Sequence, residues 1–300
     1  MQHYDLCLVW NWEHDADFVH LLEAACAARG VSLLQATPET LAQVLAGLES
    51  GGITFATFFD RASESDPRFQ SMADWASVHE IPHINPRERA HWTNDKATMQ
   101  PEFIRCGLDT PYTVILPSCT EQSDIPQMDL SLLGGSFAIK PACEGGGDGV
   151  ILEASIWEQV LTARRQFPHE KYLLQAHVTP RMLEGRPAWF RVLVCDGAVY
   201  PCWWDPHTHV YTRLTAEQKG RFGLRSLSEI PRRIAGICCL HLFSTEIALT
   251  AESRFLVVDY VNDPVDLRLQ SKAVDGVPDA IVENIAGHIV MLVENQRRNH

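Results

Sequence analysis

The feature that most constrains this chain is a loop in which four of five consecutive residues, from Gly145 to Gly149, are glycines. Short apolar runs on either side, Phe137 to Ile139 and Val150 to Leu152, predict that the loop joins two β-strands. Glycines give the backbone conformations that other residues avoid, and they leave the peptide N–H groups uncovered. Successive uncovered N–H groups bind anions, and Lys140 adds a mobile positive charge at the end of the first strand. The segment therefore indicates a binding loop for a polyphosphate.

This loop differs from two widespread phosphate-binding glycine patterns. A P-loop places its lysine after the glycines and continues into a helix, and the glycines of the dinucleotide fingerprint open a helix. Here the lysine comes first and a strand follows. An ordinary glycine-rich hairpin with a solvated lysine is the structural alternative, so the assignment depends on what the rest of the chain supplies.

Composition and charge are those of a globular protein with an acidic surface. Hydrophobic residues make up 46% of the 300 residues and charged residues 21%, which suits a sizeable core and two or three subdomains. Acidic residues outnumber basic ones 38 to 25, which gives a formal charge of −13. Because a phosphate backbone or an anionic bilayer attracts a basic surface, we expect no nucleic-acid partner and no membrane partner. A nucleotide needs only a local cluster of cations.

The cysteines and the amino-terminal segment favour a reducing compartment. The nine cysteines are scattered, without CxxC or Cys/His zinc spacing, so free thiols are expected. The first residues lack a basic region, and no apolar run approaches the roughly 18 residues that span a bilayer. These observations predict a soluble, cytoplasmic protein.

Strands and helices alternate over the first 85 residues, which is the pattern of parallel βαβ units. The predicted strands are Tyr4 to Trp10, Val31 to Leu34 and Ile53 to Phe59, and the predicted helices are Asp15 to Arg29, Pro38 to Leu48 and Phe69 to His79. Thr37 is a candidate N-cap for the second helix, ahead of a proline at its first position. We expect a small open α/β domain here, followed by a polar crossover from Pro86 to Trp92.

The remainder of the chain mixes helices with strands that carry charged residues. A helix is predicted from Lys96 to Cys106, and Asp196-Gly197 predicts a tight turn between two strands. The segment from Pro206 to Glu229 shows no regular period and is expected to be irregular and basic. A long helix is expected from Pro278 to Asn295.

Five features of this second part follow one another in a recognisable order. They are a lysine at a helix start, a lysine before the glycine loop, an apolar strand, a hairpin strand with an arginine, and two acid-bearing strands: Lys96, Lys140, residues 173–178, Arg191, Glu246 and Asp259. This succession resembles the ATP-grasp superfamily, the fold of D-alanine–D-alanine ligase, glutathione synthetase and the ATP-dependent peptide-tail ligases. The resemblance covers roughly residues 86–295.

The resemblance implies an ATP-grasp fold, in which two α+β subdomains clasp a nucleotide, preceded by the small open α/β parallel-sheet domain. The expected division is residues 1–85, then 86–180 with the glycine-rich lid, then 181–300 with the metal-binding strands. ATP and Mg²⁺ are the implied cofactors. Since the superfamily is often dimeric, a homodimer is an arrangement that the resemblance suggests.

By the same resemblance, the nucleotide contacts fall on two lysines, the glycine loop and the hinge strand, residues 173–178. The lysines would bind phosphates, the loop would close over them, and the hinge backbone would bond to adenine. The residues concerned are Lys96, Lys140, Glu144, Gly145, Gly146, Gly147, Gln175, Ala176 and Val178. A lysine in the first turn of a helix is unfavourably placed against the helix dipole, which favours a functional role for Lys96.

The implied metal site consists of Glu246, Asp259 and a third oxygen ligand. The superfamily pattern expects an asparagine two residues after the second acid, where Val261 stands in this chain. Asn262 and Asp263 come next, and on an ideal strand Asp259 and Asn262 point to opposite faces. A bulge would bring Asn262 or Asp263 round to the acids, so both are candidate ligands. Acids that cap turns or pair with arginines are the structural alternative, although acids among apolar residues are costly unless paired or metal-bound.

Arg191 and Lys140 are the candidate catalytic residues. Arg191 lies between apolar neighbours on its strand, and its planar guanidinium suits a phosphate or a substrate carboxylate. The superfamily often has an acidic residue just before this arginine, where Trp189 and Phe190 stand here.

The activity that the resemblance implies is ATP-dependent ligation of a small-molecule carboxylate to an amine. ATP would phosphorylate the carboxylate, and the amine would attack the resulting acyl-phosphate. A kinase that transfers the phosphoryl group to a hydroxyl is one alternative, although its anionic substrates call for a basic cleft. A degenerate nucleotide-binding module without turnover is another, favoured by the displaced asparagine and the absent acid before Arg191.

Overall fold

Three larger β-sheets and one two-stranded ribbon organise the computed structural model, which describes residues 1–299. Within that range, no helix combines the length and the apolar composition that crossing a bilayer requires.

The first sheet is parallel and has helices on both faces. Its elements are β1 (Gln2–Trp10), β2 (Leu33–Ala36), β3 (Ile53–Arg61), β4 (His83–Ile84), α1 (Ala16–Arg29), α2 (Leu41–Glu49) and α3 (Gln70–Val78), with strand order β2-β1-β3-β4. Successive residues of β1 point to opposite faces of the sheet. Leu6 and Leu8 pack with α1, whereas Cys7 and Val9 pack with α2 and α3. Burial on both faces explains the continuous apolar run of β1, and the predicted α/β sheet is confirmed.

The second helix begins later than predicted. Thr37 and Pro38 lie in a turn, in which the N–H of Thr40 donates to the Thr37 carbonyl at 3.0 Å. The hydroxyl of Thr40 accepts from the N–H of Thr37 at 2.9 Å. The helix therefore starts at Leu41, and the prediction of Thr37 as its N-cap is wrong.

The polar crossover expected from Pro86 to Trp92 is instead a helix, α4 (Arg87–Asn94), followed directly by α5 (Lys96–Arg105). Tertiary contacts hold this polar helix: Arg89 donates to the carbonyls of Ile237 and Cys238. Asp95 separates α4 from α5, and its carboxylate accepts the N–H groups of the two residues after Lys96. The position of Lys96 is thus fixed by an N-cap.

The second sheet is antiparallel and contains the glycine loop. Its elements are β5 (Thr113–Leu116), β6 (Phe137–Pro141), β7 (Ile151–Ala154), β8 (Tyr172–Ala176) and α6 (Trp157–Gln166), with strand order β5-β8-β6-β7. The loop joins β6 to β7, as the strand–loop–strand pattern predicts. One face packs on α6, and Phe137, Ile139, Tyr172 and Leu174 form the centre of that core.

The third sheet is also antiparallel, with strand order β13-β12-β11-β14-β15. After the two-stranded ribbon of β9 (Met182–Leu183) and β10 (Arg186–Pro187), its elements are β11 (Trp189–Cys195), β12 (Ala198–Asp205), β13 (Val210–Arg213), β14 (Leu242–Leu249) and β15 (Phe255–Asn262). Asp196 and Gly197 form the predicted turn, with φ of 45° and 79°. Three further helices are α7 (Ala216–Arg221), α8 (Ser226–Cys238) and α9 (Asp279–Asn299). Because β13 and α7 lie between residues 206 and 229, the expectation of an irregular segment there is wrong. Helix α9 packs against α1, and the two share a core.

The register between β14 and β15 is irregular around Asp259. Ser244 pairs with Asn262, Glu246 with Asp259 and Ile247 with Val257. Between the first two pairs β14 advances two residues while β15 advances three, so β15 contains an extra residue. A bulge of this kind reverses the face of the residues beyond it. Asn262 and Asp259 therefore lie on one face, although an ideal strand would separate them.

A buried ion pair connects the parallel sheet to the segment after β15. Arg61 donates to Asp15 at 2.9 and 2.7 Å, and their side chains are 3% and 2% exposed. The guanidinium also donates to the carbonyl of Val265 at 3.0 Å. The two partners are far apart in the sequence, and their spacing gives no sign of the pair.

Replacing Arg61 with leucine should lower the free energy of unfolding by about 3–5 kcal/mol, because Asp15 is left as an uncompensated buried charge. Urea unfolding measures the loss. The double variant Arg61→Leu/Asp15→Leu is the control and should lose clearly less than the sum of the single replacements. A loss below about 1 kcal/mol for Arg61→Leu alone would contradict this role of the pair.

Candidate active site

Lys140 lies where the second and third sheets meet. Its Nζ donates to Oε1 of Gln175 at 2.8 Å, and Nε2 of Gln175 donates to the carbonyl of Val258 at 3.4 Å. Gln175 is buried, whereas Lys140 is half-buried. This connection brings the lysine before the glycine loop next to the strand that carries Asp259.

Lys96 approaches from the start of α5. Its Nζ donates to the carbonyl of Glu144 at 2.9 Å, and its own N–H donates to the carbonyl of Ala142 at 3.0 Å. Lys96 thus holds the beginning of the glycine loop by backbone contacts. A ligand phosphate that replaced the Glu144 carbonyl would find the ammonium already in place.

The charges of the two strands act on Lys140. Burial lowers the pKa of Lys140, and Lys96 lowers it further, whereas Asp259 and Glu246 raise it. Because such charge effects weaken with distance, the two lysines and the two carboxylates lie near one another.

The glycine loop itself has room above it. Gly145, Gly146 and Gly147 are exposed, and a Cβ at any of them would meet no atom within 4 Å. Gly149 differs, because a Cβ there would lie 2.5 Å from the ring of Phe167 and 3.3 Å from Pro141. The loop is therefore open at its tip and tightly packed where it joins β7.

Replacing Gly149 with alanine should lower the free energy of unfolding by about 2–4 kcal/mol, since left-handed strain and overpacking both oppose it. Gly146→Ala is the matched control. Its φ of 64° also lies in the left-handed region, but its surroundings are open, so we expect a loss of only about 1 kcal/mol. Urea unfolding of both variants checks the difference, and equal losses would contradict the tight packing at Gly149.

The three residues predicted to contact the nucleotide from the hinge strand make different contacts within the protein. The side chain of Gln175 forms hydrogen bonds with Lys140 and with the carbonyl of Val258, as described above. The N–H of Ala176 donates to the carbonyl of Tyr112 at 2.9 Å, so it already has a partner within the protein. Val178 lies past the end of β8 and packs against a small apolar cluster with Leu256 and Val258.

Glu246 and Asp259 are cross-strand partners on β14 and β15. Oε1 of Glu246 accepts from Nη1 of Arg191 at 3.2 Å, and Oε2 accepts from the indole N–H of Trp189 at 3.0 Å. Burial raises the pKa of Glu246, and Asp259 raises it further, whereas Arg191 lowers it. Burial also disfavours the charged form of Asp259, yet its pKa is lowered overall by the cations around it and a hydrogen bond with Asn262.

Asn262 and Asp263 have different surroundings. Asn262 lies on the face of Asp259 and helps to lower its pKa, and Nδ2 of Asn262 donates to the carbonyl of Ser244 at 3.4 Å. Burial raises the pKa of Asp263 to about 7, and the charged groups that act on it are Glu64, Arg61 and Asp60 rather than Glu246 or Asp259. Among residues 1–299, no three Asp, Glu, His or Cys side chains come together in a way that could hold a metal. Of the two candidates for a third ligand, the structure brings only Asn262 to the acid pair.

The donor set of this site fits Mg²⁺ bound together with phosphates. Glu246 and Asp259 supply carboxylates, and Asn262 supplies an amide oxygen, which are the hard oxygen ligands that Mg²⁺ prefers. In Mg²⁺ sites of this kind the protein typically supplies only a few ligands, and phosphate oxygens and water supply the others. Lys96 and Lys140, which lie beside the second sheet, would balance the negative charge of such phosphates.

Arg191 is held between the acid pair and an aromatic ring. Its Nε donates to Oγ of Ser244 at 3.2 Å, and its guanidinium carbon lies 4.8 Å from the centre of the Trp204 ring. Sequence reasoning found Arg191 but missed Trp204 and assigned no contact to Trp189. Side chains alternate along a strand, so residues 189 and 191 share a face. This spacing alone would have predicted that Trp189 lies beside the site of Arg191.

Comparisons with known proteins agree with this architecture. No protein-family model and no curated protein matches the sequence. Among solved structures, the chain is similar to a RimK domain ATP-grasp protein from Sphaerobacter thermophilus DSM 20745, with a TM-score of 0.63, 18% identity, and coverage of 96% of this chain and 99% of that one. It is similar to D-alanine–D-alanine ligase from Bacillus anthracis complexed with ATP, with a TM-score of 0.61, 11% identity, and coverage of 100% and 99%. A third is the ATP-grasp ligase PsnB complexed with minimal precursor, Mg and ADP, with a TM-score of 0.60, 14% identity, and coverage of 98% of both chains.

The chain therefore has the ATP-grasp fold over nearly its whole length. The fold class predicted from the order of the motifs is confirmed, including the α/β sheet that precedes the two antiparallel sheets.

Proposed function

We propose that this protein is an ATP- and Mg²⁺-dependent ligase that joins a carboxylate to an amine through an acyl-phosphate intermediate. The observation that supports it most is the meeting of Lys96 and Lys140 with Glu246 and Asp259 at the junction of two sheets. The fold adds support, because two of the similar structures are ligases, one complexed with ATP and the other with Mg and ADP.

In this proposal the wall formed by the second sheet binds the nucleotide. Lys96 and Lys140 contact its phosphates, and the loop formed by Glu144, Gly145, Gly146 and Gly147 closes over them. Because the N–H of Ala176 has a partner already, we assign the adenine contact to the backbone near Val178. We propose residues 1–85, 86–180 and 181–300 as the three functional units.

The wall formed by the third sheet holds the metal and the reacting groups. Glu246, Asp259 and Asn262 would ligate Mg²⁺, which when bound would neutralise charge on the phosphates. Arg191 is placed to bind the phosphoryl oxygens or the substrate carboxylate through its planar fork. Closure of the loop would exclude water, which matters because water hydrolyses an acyl-phosphate.

Hydroxylamine trapping tests this proposal. The protein is incubated with ATP, Mg²⁺, hydroxylamine and a panel of carboxylic acids, and both ADP and acyl-hydroxamate are measured. We expect hydroxamate formation with at least one acid, in proportion to ADP. A stable phosphorylated product without hydroxamate would instead indicate a kinase. Mg²⁺-dependent ATP binding without turnover on any substrate would indicate a degenerate module.

A further inference from the structure

Trp189 contacts Glu246, and the proposed chemistry assigns it no role. It lies two residues before Arg191 on β11, on the same face of the sheet. Its indole N–H donates to Oε2 of Glu246 at 3.0 Å. The rest of its ring packs on the cluster of Ala248, Leu256 and Val258, against which Val178 also packs.

Arg191 and Trp189 differ in what a bound nucleotide would do to them. Arg191 carries a positive charge, has Ser244 and the Trp204 ring as further partners, and is attracted to any phosphate placed nearby. Trp189 is neutral, and its ring is held by apolar packing. A phosphate can therefore draw Arg191 away from Glu246 but has no comparable effect on Trp189.

A neutral donor also preserves the charge of the carboxylate. The indole N–H orients Oε2 of Glu246 without adding a counter-charge that would compete with a cation. A carboxylate at position 189 would have the opposite effect, because it would place a third acid beside Glu246 and Asp259 and raise their mutual repulsion.

We propose that Trp189 is a positioning residue that fixes the carboxylate of Glu246 for Mg²⁺ and keeps it fixed when Arg191 turns to the phosphates. The proposal rests on the proposed function, since it assumes that Glu246 is a metal ligand. Hydrogen bonds that orient a metal-binding side chain commonly change metal affinity by about 10- to 100-fold.

The test is Trp189→Phe, which removes the N–H and keeps most of the ring. Isothermal titration calorimetry measures ATP binding at a series of Mg²⁺ concentrations and in EDTA. We expect the Mg²⁺ concentration for half-maximal binding to rise at least about tenfold, and the weak binding in EDTA to change by less than about twofold. If Trp189→Phe melts below the assay temperature, Trp189→Met replaces it.

Trp203→Phe is the matched control. The indole N–H of Trp203 also donates to a side-chain oxygen, that of Gln218 at 3.3 Å, but Trp203 lies on the opposite face of the same sheet. Its replacement should leave the Mg²⁺ requirement unchanged.

Three results are distinguishable. An unchanged Mg²⁺ requirement in the Trp189 variant would overturn the inference, and so would an equal loss of binding with and without Mg²⁺, which marks a merely structural role. If the unmodified protein shows no Mg²⁺-dependent ATP binding, the proposed function fails instead, and the inference fails with it.

Discussion

Replacing Lys140 with methionine is expected to weaken ATP binding by about 30- to 4,000-fold while the protein still folds. Methionine keeps the apolar stem of the side chain, so packing between β6 and β8 is retained. The lost ammonium removes one of the positive charges beside Glu246 and Asp259 and leaves Oε1 of Gln175 without its donor. Removing one partner of a partly buried, hydrogen-bonded charge pair costs about 2–5 kcal/mol, and about 1.4 kcal/mol is a tenfold change in affinity.

Calorimetric titration with Mg²⁺ and ATP measures the loss, and circular dichroism monitors folding. Lys171→Met is the control, because Lys171 is an exposed residue at the start of the neighbouring strand. Its affinity should match that of the unmodified protein. Unchanged ATP affinity in the folded Lys140 variant would remove the glycine loop and its lysine from the nucleotide site.

Asp259→Asn is expected to lower kcat by at least about a thousandfold. The surrounding cations lower the pKa of Asp259, which favours its charged form, and we propose this carboxylate as a Mg²⁺ ligand. Asparagine preserves the shape but removes the charge that would hold Mg²⁺ against the phosphates. Loss of metal-ion assistance costs several kcal/mol, and about 1.4 kcal/mol is a tenfold change in rate. Once a substrate is identified by hydroxamate trapping, initial rates of ADP formation provide the measurement.

Asp263→Asn separates the two candidates for a third ligand. The charged groups that act on Asp263 are Glu64, Arg61 and Asp60 rather than the acid pair, so we expect its replacement to lower kcat by less than about fivefold. Asn262→Ala should lower kcat much more, by at least about 10- to 100-fold, because even the loss of a group that orients a metal ligand has that effect. If kcat fell further in the Asp263 variant than in the Asn262 variant, the ligand set proposed here would be wrong.

The order of motifs was sufficient to predict the fold, because each motif belongs to a strand whose place the fold determines. It also predicts that Lys140 and Asp259 share a site, and the bonds from Lys140 to Gln175 and from Gln175 to Val258 support that prediction. The same reasoning could not choose between Asn262 and Asp263. That choice depends on a bulge in β15, which arises from its pairing with β14 and has no local sequence signal.

Tertiary contacts also determine the elements that were predicted wrongly. Helix α4 lacks an apolar stripe, and bonds from Arg89 to the end of α8 hold it in place. The buried pair of Arg61 and Asp15 joins segments that only the folded chain brings together. Periodicity along the sequence contains no information on such contacts.

A crystal structure with Mg²⁺ and a non-hydrolysable ATP analogue tests the proposed site most directly. We expect one Mg²⁺ ion at about 2.0–2.1 Å from oxygens of Glu246, Asp259 and Asn262 and of the phosphates. Lys96 and Lys140 should contact the same phosphates, with the glycine loop closed over them. A nucleotide bound elsewhere, or a metal held without Glu246 and Asp259, would contradict the site and the ligase activity proposed from it.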